Sequence, residues 1–289
     1  MSPACPVCGD RRLEHRWHVA RVPFRGCRRC GAVFAAGDFD ADFWTAYYND
    51  DYHRERGHGE EDPGIAVAKR RSFARFLSHL PAPATRGASR LLEVGCGTGD
   101  AVGAALDLGF DATGVDVSAQ AVDRARRRFP DGDFRAARLE EVDLPPGSFD
   151  AACLFDMIEH VPEPHPFAAR LADLLVPGGR LLVVTPNVAS LSARCLGPHW
   201  FHTFPEHVLL HTPLSLAILF ETHSLRVIRR RFAWKHVTPE MLMRHAELFG
   251  HIFGGGLISG LRKLLPPGLR GLAFPFNVGE MLVLFEKKG

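Results

Sequence analysis

The chain has 289 residues and a net charge of +2, with 46% of the residues hydrophobic and 24% charged. This length and composition are typical of a soluble globular protein that buries a sizeable core without disulfides. They exclude a predicted membrane-spanning helix, because no apolar run approaches the ~18 residues that such a helix needs. The first residues lack a basic segment followed by an apolar one, so we expect no signal peptide and a cytoplasmic protein with reduced thiols.

Residues 1–37 are predicted to form a zinc ribbon. Cys5 and Cys8 make one CxxC pair, Cys27 and Cys30 make another, and 18 residues separate the two pairs. In a reducing compartment, this spacing indicates tetrahedral ligation of one structural Zn²⁺ by four thiolates rather than a redox dithiol. Because the segment has few aliphatic residues, zinc would supply its folding energy.

The same segment is rich in arginine, and two interpretations of that surface stay open. The side chains could contact the phosphates of a nucleic acid or of a phosphorylated substrate. They could equally form a solvated surface that has no partner. The arginines are Arg11, Arg12, Arg16, Arg21, Arg25, Arg28 and Arg29.

Residues 38–88 are predicted to connect the ribbon to the rest of the chain. The ring side chains of its first part could fold over a ligand pocket or act as a strut; they are Tyr47, Tyr48, Tyr52 and His53. In its second part, apolar residues at helical spacing predict an amphipathic helix that ends before Pro81. The residues with this spacing are Phe73, Phe76, Leu77 and Leu80.

Residues 89–289 alternate between predicted strands and helices, which indicates βαβ units and a mostly parallel, Rossmann-like α/β sheet. The predicted strands cover 90–94, 113–117, 150–155, 180–185, 226–232 and 280–286. The predicted helices cover 100–108, 119–129, 164–175 and 212–224. Ser118 and Thr212 are suitable N-cap residues for two of them. Insertions near 190–215 and 236–276 are predicted to form a helical cap over the substrate side.

A glycine-rich turn follows the first of these strands. Gly95, Gly97 and Gly99 allow the backbone to turn sharply and to approach a ligand closely at the start of a helix. Asp116 closes the next strand, where a carboxylate can accept both hydroxyls of a ribose. The pattern is E-x-G-x-G-x-G, and Asp100 stands where a dinucleotide fingerprint needs its third glycine. We therefore expect a ligand without a pyrophosphate at this helix.

Four motifs in this part of the chain resemble those of class I S-adenosylmethionine-dependent methyltransferases, in the small-molecule branch near the ubiquinone-biosynthesis O-methyltransferases. They are LEVGCGTG at 92–99, GVDVS at 114–118, FD to EHV at 149–161 and LVPGG to TPN at 175–187. The resemblance implies a sheet of seven strands with helices on both faces and an antiparallel last strand. It also implies S-adenosylmethionine as the cofactor, and the cysteine segment is similar to zinc ribbons that precede many bacterial methyltransferases.

Carried over residue by residue, the resemblance implies a cofactor site. The residues implied are Glu93, Gly95, Cys96, Gly97, Gly99, Asp116, Val117, Leu139 and Phe155. The glycines would contact the methionine part, Asp116 the ribose, Val117 the adenine ring and Leu139 the adenine edge, and Phe155 would line the methionine side. The family often has Gly-Asp after the third strand, where this chain has residues 137–138 as Ala-Arg. Adenine recognition would then depend on backbone groups or a nearby glutamate.

Histidines at two places are candidates for the catalytic group. Methyl transfer from a sulfonium is an in-line displacement, and a hydroxyl acceptor must also lose its proton to a base. His160 follows the fourth strand and could be that base, with Glu159 as a less favoured partner, or it could simply bond to backbone at a helix start. Glu206, His207 and His211 lie after the fifth strand. They could supply a base, bind a divalent ion or hold the lid by hydrogen bonds.

The sequence favours transfer of a methyl group from S-adenosylmethionine to oxygen or carbon of a small-molecule or glycan-like acceptor, with a histidine base. One alternative is an RNA methyltransferase that grips RNA with the basic ribbon, although no Asn/Asp-Pro-Pro-Tyr-type motif follows the fourth strand. Another is a non-catalytic cofactor-binding module, against which the intact glycines and Asp116 argue. The acceptor and the oligomeric state stay open at this point.

Overall fold

The computed structural model describes residues 4–19, 22–37, 63–248, 266–277 and 279–289. The stretch that contains Tyr47, Tyr48, Tyr52 and His53 lies outside the described residues, as do Arg21 and much of the second predicted insertion. Within the described ranges, no helix combines the length and the apolar character needed to cross a membrane.

Strands and helices alternate through most of the described chain. The strands are β1 (Leu13–Val19), β2 (Val22–Cys27), β3 (Val33–Ala35), β4 (Arg90–Val94), β5 (Asp111–Asp116), β6 (Asp133–Ala136), β7 (Phe149–Phe155), β8 (Leu175–Pro186), β9 (Leu209–Leu210), β10 (Leu225–Phe232), β11 (Lys235–Val237), β12 (Phe274–Phe276) and β13 (Glu280–Lys287). The α-helices are α1 (Pro63–Leu77), α2 (Asp100–Asp107), α3 (Ala119–Arg128), α4 (Pro164–Leu174), α5 (Leu191–Leu196), α6 (Pro213–Glu221), α7 (Pro239–Leu248) and α8 (Pro267–Arg270).

The central sheet has seven strands in the order β10-β13-β8-β7-β4-β5-β6. Strand β13 is antiparallel to both of its neighbours, whereas the β4, β5, β6, β7 and β8 pairs are parallel. The predicted Rossmann-like sheet with an antiparallel last strand is therefore confirmed. The strand order reverses between β4 and β7, and ligands of such sheets bind in the crevice beyond the carboxyl ends of the strands at this point.

Helices cover both faces of the sheet. Because alternate residues of each strand point to opposite faces, each strand contributes to the apolar clusters on both sides. On β4, Leu92 and Val94 join one apolar cluster with α4 and α6, whereas Leu91 joins another with α1, α2 and α3. On β7, Ala152 and Leu154 belong to the first cluster in the same way. The near-continuous apolar runs of these strands follow from this burial on both sides.

The helix starts that the sequence predicts are confirmed at atomic detail. The Ser118 hydroxyl accepts a hydrogen bond of 3.2 Å from the backbone N–H of Ala121 and so caps α3. Thr212 caps α6 in a reciprocal capping box with Ser215. Helix α1 ends at Leu77, and a short turn carries the chain on toward Pro81.

The prediction of a helical second insertion, interrupted at its glycines and prolines, was wrong at its two ends. Strands β11 and β12 pair antiparallel there, with Lys235 opposite Phe276 and Val237 opposite Phe274. Only α7 and the short α8 between them follow the helical prediction within the described residues. The two strands are short and distant in the sequence, so their pairing leaves no periodic signal that could predict it.

The N-terminal ribbon (residues 4–19 and 22–37) is joined to the first insertion. Strands β1, β2 and β3 form an antiparallel sheet that β9 completes through the pairs Val33–Leu210 and Phe34–Leu209. Trp17 and Phe24 pack with Trp200 in an apolar cluster between the two segments. The ribbon is therefore not a separate arm, because part of its sheet is built from the insertion.

Candidate functional site

The glycine-rich loop lies after β4, at the point where the strand order reverses. The φ angles of Gly95, Gly97 and Gly99 are +79°, +48° and +84°, which residues with a side chain rarely adopt. A Cβ at Gly95 would lie 2.6 Å from Cγ of Met157, whereas a Cβ at Gly97 would meet no described residue within 4 Å. Packing inside the protein therefore requires Gly95, and Gly97 faces open space from which a ligand can approach.

Asp116 ends β5 opposite this loop. Its Oδ2 accepts a hydrogen bond of 2.8 Å from the backbone N–H of Gly97, and its Oδ1 accepts one of 2.9 Å from that of Ser118. These two bonds fix the carboxylate at the mouth of the crevice. The next side chain, Val117, is 73% exposed, so an apolar surface lies beside a fixed carboxylate. This pairing is what a nucleoside needs, with its ribose on the carboxylate and its base on the apolar side chain.

Two other residues of the loop support it from the inside. Glu93 is buried, and burial raises the pKa of its carboxyl well above the usual range, with the nearby charge of Asp116 adding to the effect. Cys96 fills the space beside Gly114, where an added Cβ would lie 2.8 Å from its Sγ. Both side chains are packed beneath the loop, and their roles in a cofactor site stay predictions.

Leu139 and Phe155 are also buried. The Phe155 ring packs against Phe73 and Phe76 of α1, at centroid distances of 5.3 and 5.7 Å. Its position at the end of β7 agrees with the expectation that it borders the methionine side, but most of the ring belongs to the core. The roles of Leu139 at the adenine edge and of Phe155 stay predictions.

The structure brings together two of the predicted histidines. His160 and His207 meet edge to face with their ring centroids 4.8 Å apart. One ligand-type atom of each, together with a carboxylate oxygen of Glu159, lies within 4.8 Å of the others. This histidine pair lies just beyond the ends of β7 and β8, at the same edge of the sheet as the glycine loop.

Backbone carbonyls fix the tautomers of both rings. His160 Nδ1 lies 2.9 Å from the carbonyl oxygen of Glu206, and His207 Nδ1 lies 2.6 Å from that of His202. A carbonyl can only accept, so each Nδ1 carries a proton, and in the neutral form of each ring the lone pair lies on Nε2. Such a nitrogen can take a proton from a hydroxyl or ligate a metal ion.

Glu159 adds a buried carboxyl to this pair. Its Oε2 accepts a hydrogen bond of 2.9 Å from the Thr185 hydroxyl, and its Oε1 has no hydrogen-bond partner among the described residues. Burial, with the nearby charge of Asp156, raises the pKa of this carboxyl to about 8. The acid is therefore able to hold or release a proton near neutral pH, although the sequence favoured the histidines over it.

A charged network that sequence analysis missed borders the same group. The ammonium of Lys235 lies 2.6 Å from a carboxylate oxygen of Asp156 and 2.5 Å from one of Glu280. Burial opposes the charge on Lys235, but the two carboxylates raise its pKa. Asp156 has a φ of +49°, which is uncommon for a residue with a side chain. Asp156 and Glu280 stand at strand ends, and that position was the one signal that could have identified them.

His211 lies apart from the histidine pair. It is fully buried, its Nδ1 lies 3.2 Å from the Ser215 hydroxyl, and its Nε2 has no partner in the described part of the chain. Burial lowers its pKa to about 3, so the ring stays neutral. The group that could hold an ion at this edge contains His160 and His207 but not His211. Glu206 is also buried, and its carbonyl group is what contacts His160.

The four ribbon cysteines lie together as the sequence predicts. Sγ of Cys5 is 3.6 Å from that of Cys30, Sγ of Cys8 is 3.5 Å from that of Cys27, and all four lie within 4.8 Å of one another. Tetrahedral Zn²⁺ with bonds of about 2.3 Å places its sulfur ligands about 3.8 Å apart. Each CxxC pair closes a turn in which a glycine with positive φ follows the second cysteine. The cluster therefore fits a closed zinc site with four cysteine ligands.

Two carboxylates of the ribbon pair with some of its seven arginines. Arg12 pairs with Asp10 at 2.8 Å, and Glu14 contacts Arg16 at 3.4 Å and Arg28 at 3.1 Å. Exposed pairs such as these contribute little stability, but they reduce the field that a phosphate backbone would experience. Because only two carboxylates stand against seven arginines, both interpretations of this surface stay open.

Comparison with known proteins agrees with this geometry. A family model described as a methyltransferase domain matches residues 66–229, which is 164 of the 289 residues. The ubiquinone biosynthesis O-methyltransferase of Xanthomonas campestris is 35% identical over 116 residues, 38% of this chain and 48% of that protein. That of Xanthomonas euvesicatoria is 36% identical over 104 residues, 34% of this chain and 44% of that protein. The chain thus spans about half the length of the curated relatives it matches.

Solved structures show the same fold. The YcgJ protein from Bacillus subtilis has a TM-score of 0.54 and 16% identity, and the match covers 76% of this chain and 99% of that one. A phosphoethanolamine N-methyltransferase of Haemonchus contortus, solved with S-adenosyl-L-methionine, has a TM-score of 0.53 and 19% identity, with 88% and 61% covered. At such identities these structures establish the architecture alone. With its family model matched over more than half of its length, the chain belongs to the methyltransferase domain family.

Proposed function

We propose that this protein transfers a methyl group from S-adenosylmethionine to an acceptor bound beside His160 and His207. The observation that carries the proposal is the placement of two sites at one edge of the sheet. The glycine loop with Asp116 suits a nucleoside, and the histidine pair suits proton removal. Neither site by itself would distinguish an enzyme from a cofactor-binding module.

When bound, S-adenosylmethionine supplies an electrophilic methyl group on a sulfonium. On this chain, Asp116 would accept the ribose hydroxyls and Val117 would pack on the base. The open side of Gly97 would let the methionine part approach the loop backbone. Glu93 and Cys96 would hold that backbone rigid, which reduces the ordering cost of binding.

The acceptor side would then remove a proton from a hydroxyl or an activated carbon. With Nδ1–H bonded to a carbonyl, Nε2 of His160 or His207 is the atom that takes the proton. The relatives named as ubiquinone biosynthesis O-methyltransferases support a small acceptor with a hydroxyl group. We therefore propose O-methylation of a small molecule first, with C-methylation and glycan-like acceptors as further members of the same class.

The same group of residues also supports a second role. Glu159, His160 and His207 could hold a divalent cation, which would lower the pKa of an acceptor hydroxyl without a protein base. The buried Glu159 Oε1 without a partner among the described residues favours this role. The two roles differ in metal dependence, because a proton-accepting histidine works in the presence of a chelator that leaves the cysteine site loaded.

We further propose that the cluster of four cysteines binds one structural Zn²⁺. The sulfur separations support it, and a closed site of four thiolates offers no open position for chemistry. RNA methylation is a weaker candidate, since no Asn/Asp-Pro-Pro-Tyr-type motif follows the fourth strand. A steep loss of RNA affinity with added salt would revive it.

The first experiment is calorimetric titration of S-adenosylmethionine into the purified protein and into Asp116→Ala. We expect binding to the first and its loss in the second. Release of S-adenosylhomocysteine would then be followed over a panel of phenols, catechols and sugars. For the acceptor found, we expect His160→Ala or His207→Ala to lower kcat by about 10²- to 10⁴-fold. Full turnover in both variants would rule out the histidine base, and the absence of titration heat with folded protein would count against the enzyme.

A further inference from the structure

The ribbon contacts the loop that carries His207 and the two carbonyl groups to which His160 and His207 bond. We call residues 199–208 the histidine loop; within it, Glu206 and His202 offer the carbonyls that bond to His160 and His207. The loop has almost no regular secondary structure of its own, apart from short turns such as that from Trp200 to Thr203. The orientation of both rings therefore depends on whatever holds this loop in place.

The backbone on the C-terminal side of the loop is held from two directions. Toward the ribbon, the N–H of Ala35 donates to the carbonyl of Val208 at 2.9 Å, and β3 pairs with β9. Toward the central sheet, the N–H of Val188 donates to the carbonyl of His211 at 3.0 Å. Residues 208–211 thus form a strip between the ribbon and the end of β8.

Thr212 connects this strip to the cysteine cluster itself. Its hydroxyl donates a hydrogen bond of 2.7 Å to the carbonyl of Cys30, and it is buried. Gly31, with a φ of +75°, permits the approach, because an added Cβ there would lie 3.0 Å from the Thr212 methyl group. The same hydroxyl accepts from Ser215 N–H and caps α6.

Buried apolar side chains stabilise the contact between the ribbon and the segment that contains the histidine loop and β9. Val33, Leu209 and Leu210 are almost fully buried where β3 meets β9. On the other side of the loop, Trp200 is fully buried against residues of the ribbon. Separating the ribbon would expose these side chains and leave one edge of residues 208–210 without backbone partners, which is costly in the interior.

We propose that the ribbon is a brace for the histidine loop, and that Thr212 is the positioning residue through which the Cys27–Cys30 turn fixes the tautomers of His160 and His207. The ribbon thereby acts on the acceptor site and not as a separate nucleic-acid-binding unit. The glycine loop and Asp116 depend on β4 and β5 and do not need the brace. The proposal rests on the proposed roles of the two histidines, but its test requires no turnover.

The test uses the full-length protein, first shown to contain zinc, and compares Thr212→Val, Thr212→Ser and Ser215→Ala with the wild type. Thr212→Val loses the bond to Cys30 and the cap. Thr212→Ser keeps both, and Ser215→Ala removes the other half of the capping box but leaves the Cys30 bond. Amide hydrogen exchange over residues 199–212 and ¹⁵N-detected imidazole spectra of His160 and His207 are the readouts, with S-adenosylmethionine titration as the check on the fold.

We expect exchange in the histidine loop to be about tenfold faster or more in Thr212→Val, since a hydrogen bond and a cap are lost together. Both rings should then lose their fixed Nδ1–H form, whereas Thr212→Ser and Ser215→Ala should stay close to the wild type. Removal of zinc with a chelator should reproduce the Thr212→Val result and leave S-adenosylmethionine affinity unchanged.

Two results would overturn the brace. In the first, chelation of zinc speeds amide hydrogen exchange in the ribbon, but neither amide exchange in the histidine loop nor the imidazole signals of His160 and His207 change. In the second, chelation also abolishes S-adenosylmethionine binding, which would mean that the ribbon supports the whole fold. If the wild type binds no S-adenosylmethionine, the proposed function fails, but exchange and tautomers still decide whether the brace exists.

Discussion

The two sides of the candidate site are built differently. The cofactor side consists of the glycine loop and Asp116, and the bond between Gly97 and Asp116 joins residues only 19 apart in the chain. On the acceptor side, His160 bonds to Glu206 across 46 residues, and Lys235 contacts Asp156 across 79. A site made from one βαβ unit is encoded locally, whereas the acceptor site exists only after distant segments have packed.

The two sides also differ in how they treat charge. Asp116 lies at the crevice mouth, and each of its carboxylate oxygens accepts a hydrogen bond from a backbone N–H group. A carboxylate held in this way suits the binding of a ligand's hydroxyl groups. On the acceptor side, burial raises the pKa of Glu159 to about 8 and that of Glu280 to about 7, which suits groups that exchange protons near neutrality. The proposed cofactor side thus suits the binding of a ligand, and the proposed acceptor side suits the transfer of a proton or the binding of a cation.

Loss of zinc ligation should have the largest effect and should fall on the acceptor side alone. Cys27→Ser removes one thiolate from the proposed zinc site, and structural zinc contributes about 10–16 kcal/mol of binding free energy in zinc-finger peptides. We expect native mass spectrometry to show no bound zinc and the thermal midpoint to fall by roughly 10 °C or more. The exposed Cys195 gives the control Cys195→Ser, which should keep both. If Cys27→Ser also loses S-adenosylmethionine binding, the two sides are not separable.

The buried acid of the acceptor side should make stability depend on pH. The pKa of Glu159 is about 8 in the folded protein and about 4.3 when unfolded. Between these two pH values the folded protein holds a proton that the unfolded chain lacks. The contribution of Glu159 to the free energy of unfolding is therefore greatest below about pH 4, and it is lost as the pH rises toward 8. The slope is up to about 1.4 kcal/mol per pH unit.

Glu159→Gln cannot titrate, so its free energy of unfolding should depend less on pH than that of the wild type. Denaturant unfolding at several pH values between about 5 and 8.5 measures this. The pKa of Glu280 is also raised by burial, so part of the dependence of the free energy of unfolding on pH should remain in Glu159→Gln. The exposed Glu163 supplies the control Glu163→Gln, which should keep the whole slope. An unchanged slope in Glu159→Gln would place the titrating group elsewhere.

On the cofactor side, Asp116→Ala should weaken S-adenosylmethionine binding by about 100-fold or more, since bonds to a charged group are lost. Asp116→Asn should bind S-adenosylmethionine with an affinity between those of the wild type and Asp116→Ala, because the amide oxygen still accepts a hydrogen bond from one backbone N–H. Asp111→Ala, at the exposed start of the same strand, is the matched control and should bind normally. Hydrogen exchange in the histidine loop should not change in any of the three, and a change there would contradict the separation of the two sides.

The smallest expected effect is the difference between alanine substitutions at two glycines of the same loop, Gly95 and Gly97. Both glycines have a positive φ, but the methyl group of Gly95→Ala would meet Met157, whereas that of Gly97→Ala would meet none of the residues that the structure describes. We expect Gly95→Ala to cost about 1–3 kcal/mol more in the free energy of unfolding, from overpacking. Gly97→Ala should instead show the greater loss of S-adenosylmethionine affinity, because its methyl group stands where the ligand approaches. Equal effects on both quantities would mean that the loop does not face the ligand as proposed.

Sequence alone was sufficient for the parts whose partners are neighbours in the chain. The alternation of apolar strands and helices predicted the sheet, and the motif spacing predicted that the glycine loop and Asp116 lie at neighbouring strand ends, where they meet. The two CxxC pairs predicted a cluster whose sulfurs do meet. In each case a period, a cap or a fixed spacing carries the information, because strands, helices and metal knuckles are set by short-range geometry.

Only the tertiary structure decided how the acceptor side is assembled. It paired His207 with His160 and set His211 apart in the core, it brought Lys235 between Asp156 and Glu280, and it added β9 to the ribbon sheet. None of these contacts repeats along the chain, and each depends on which surfaces become buried when distant segments pack. The sequence thus determined the cofactor loop and the cysteine cluster. Packing decided that this cluster would stand behind the loop whose carbonyls orient the two histidines.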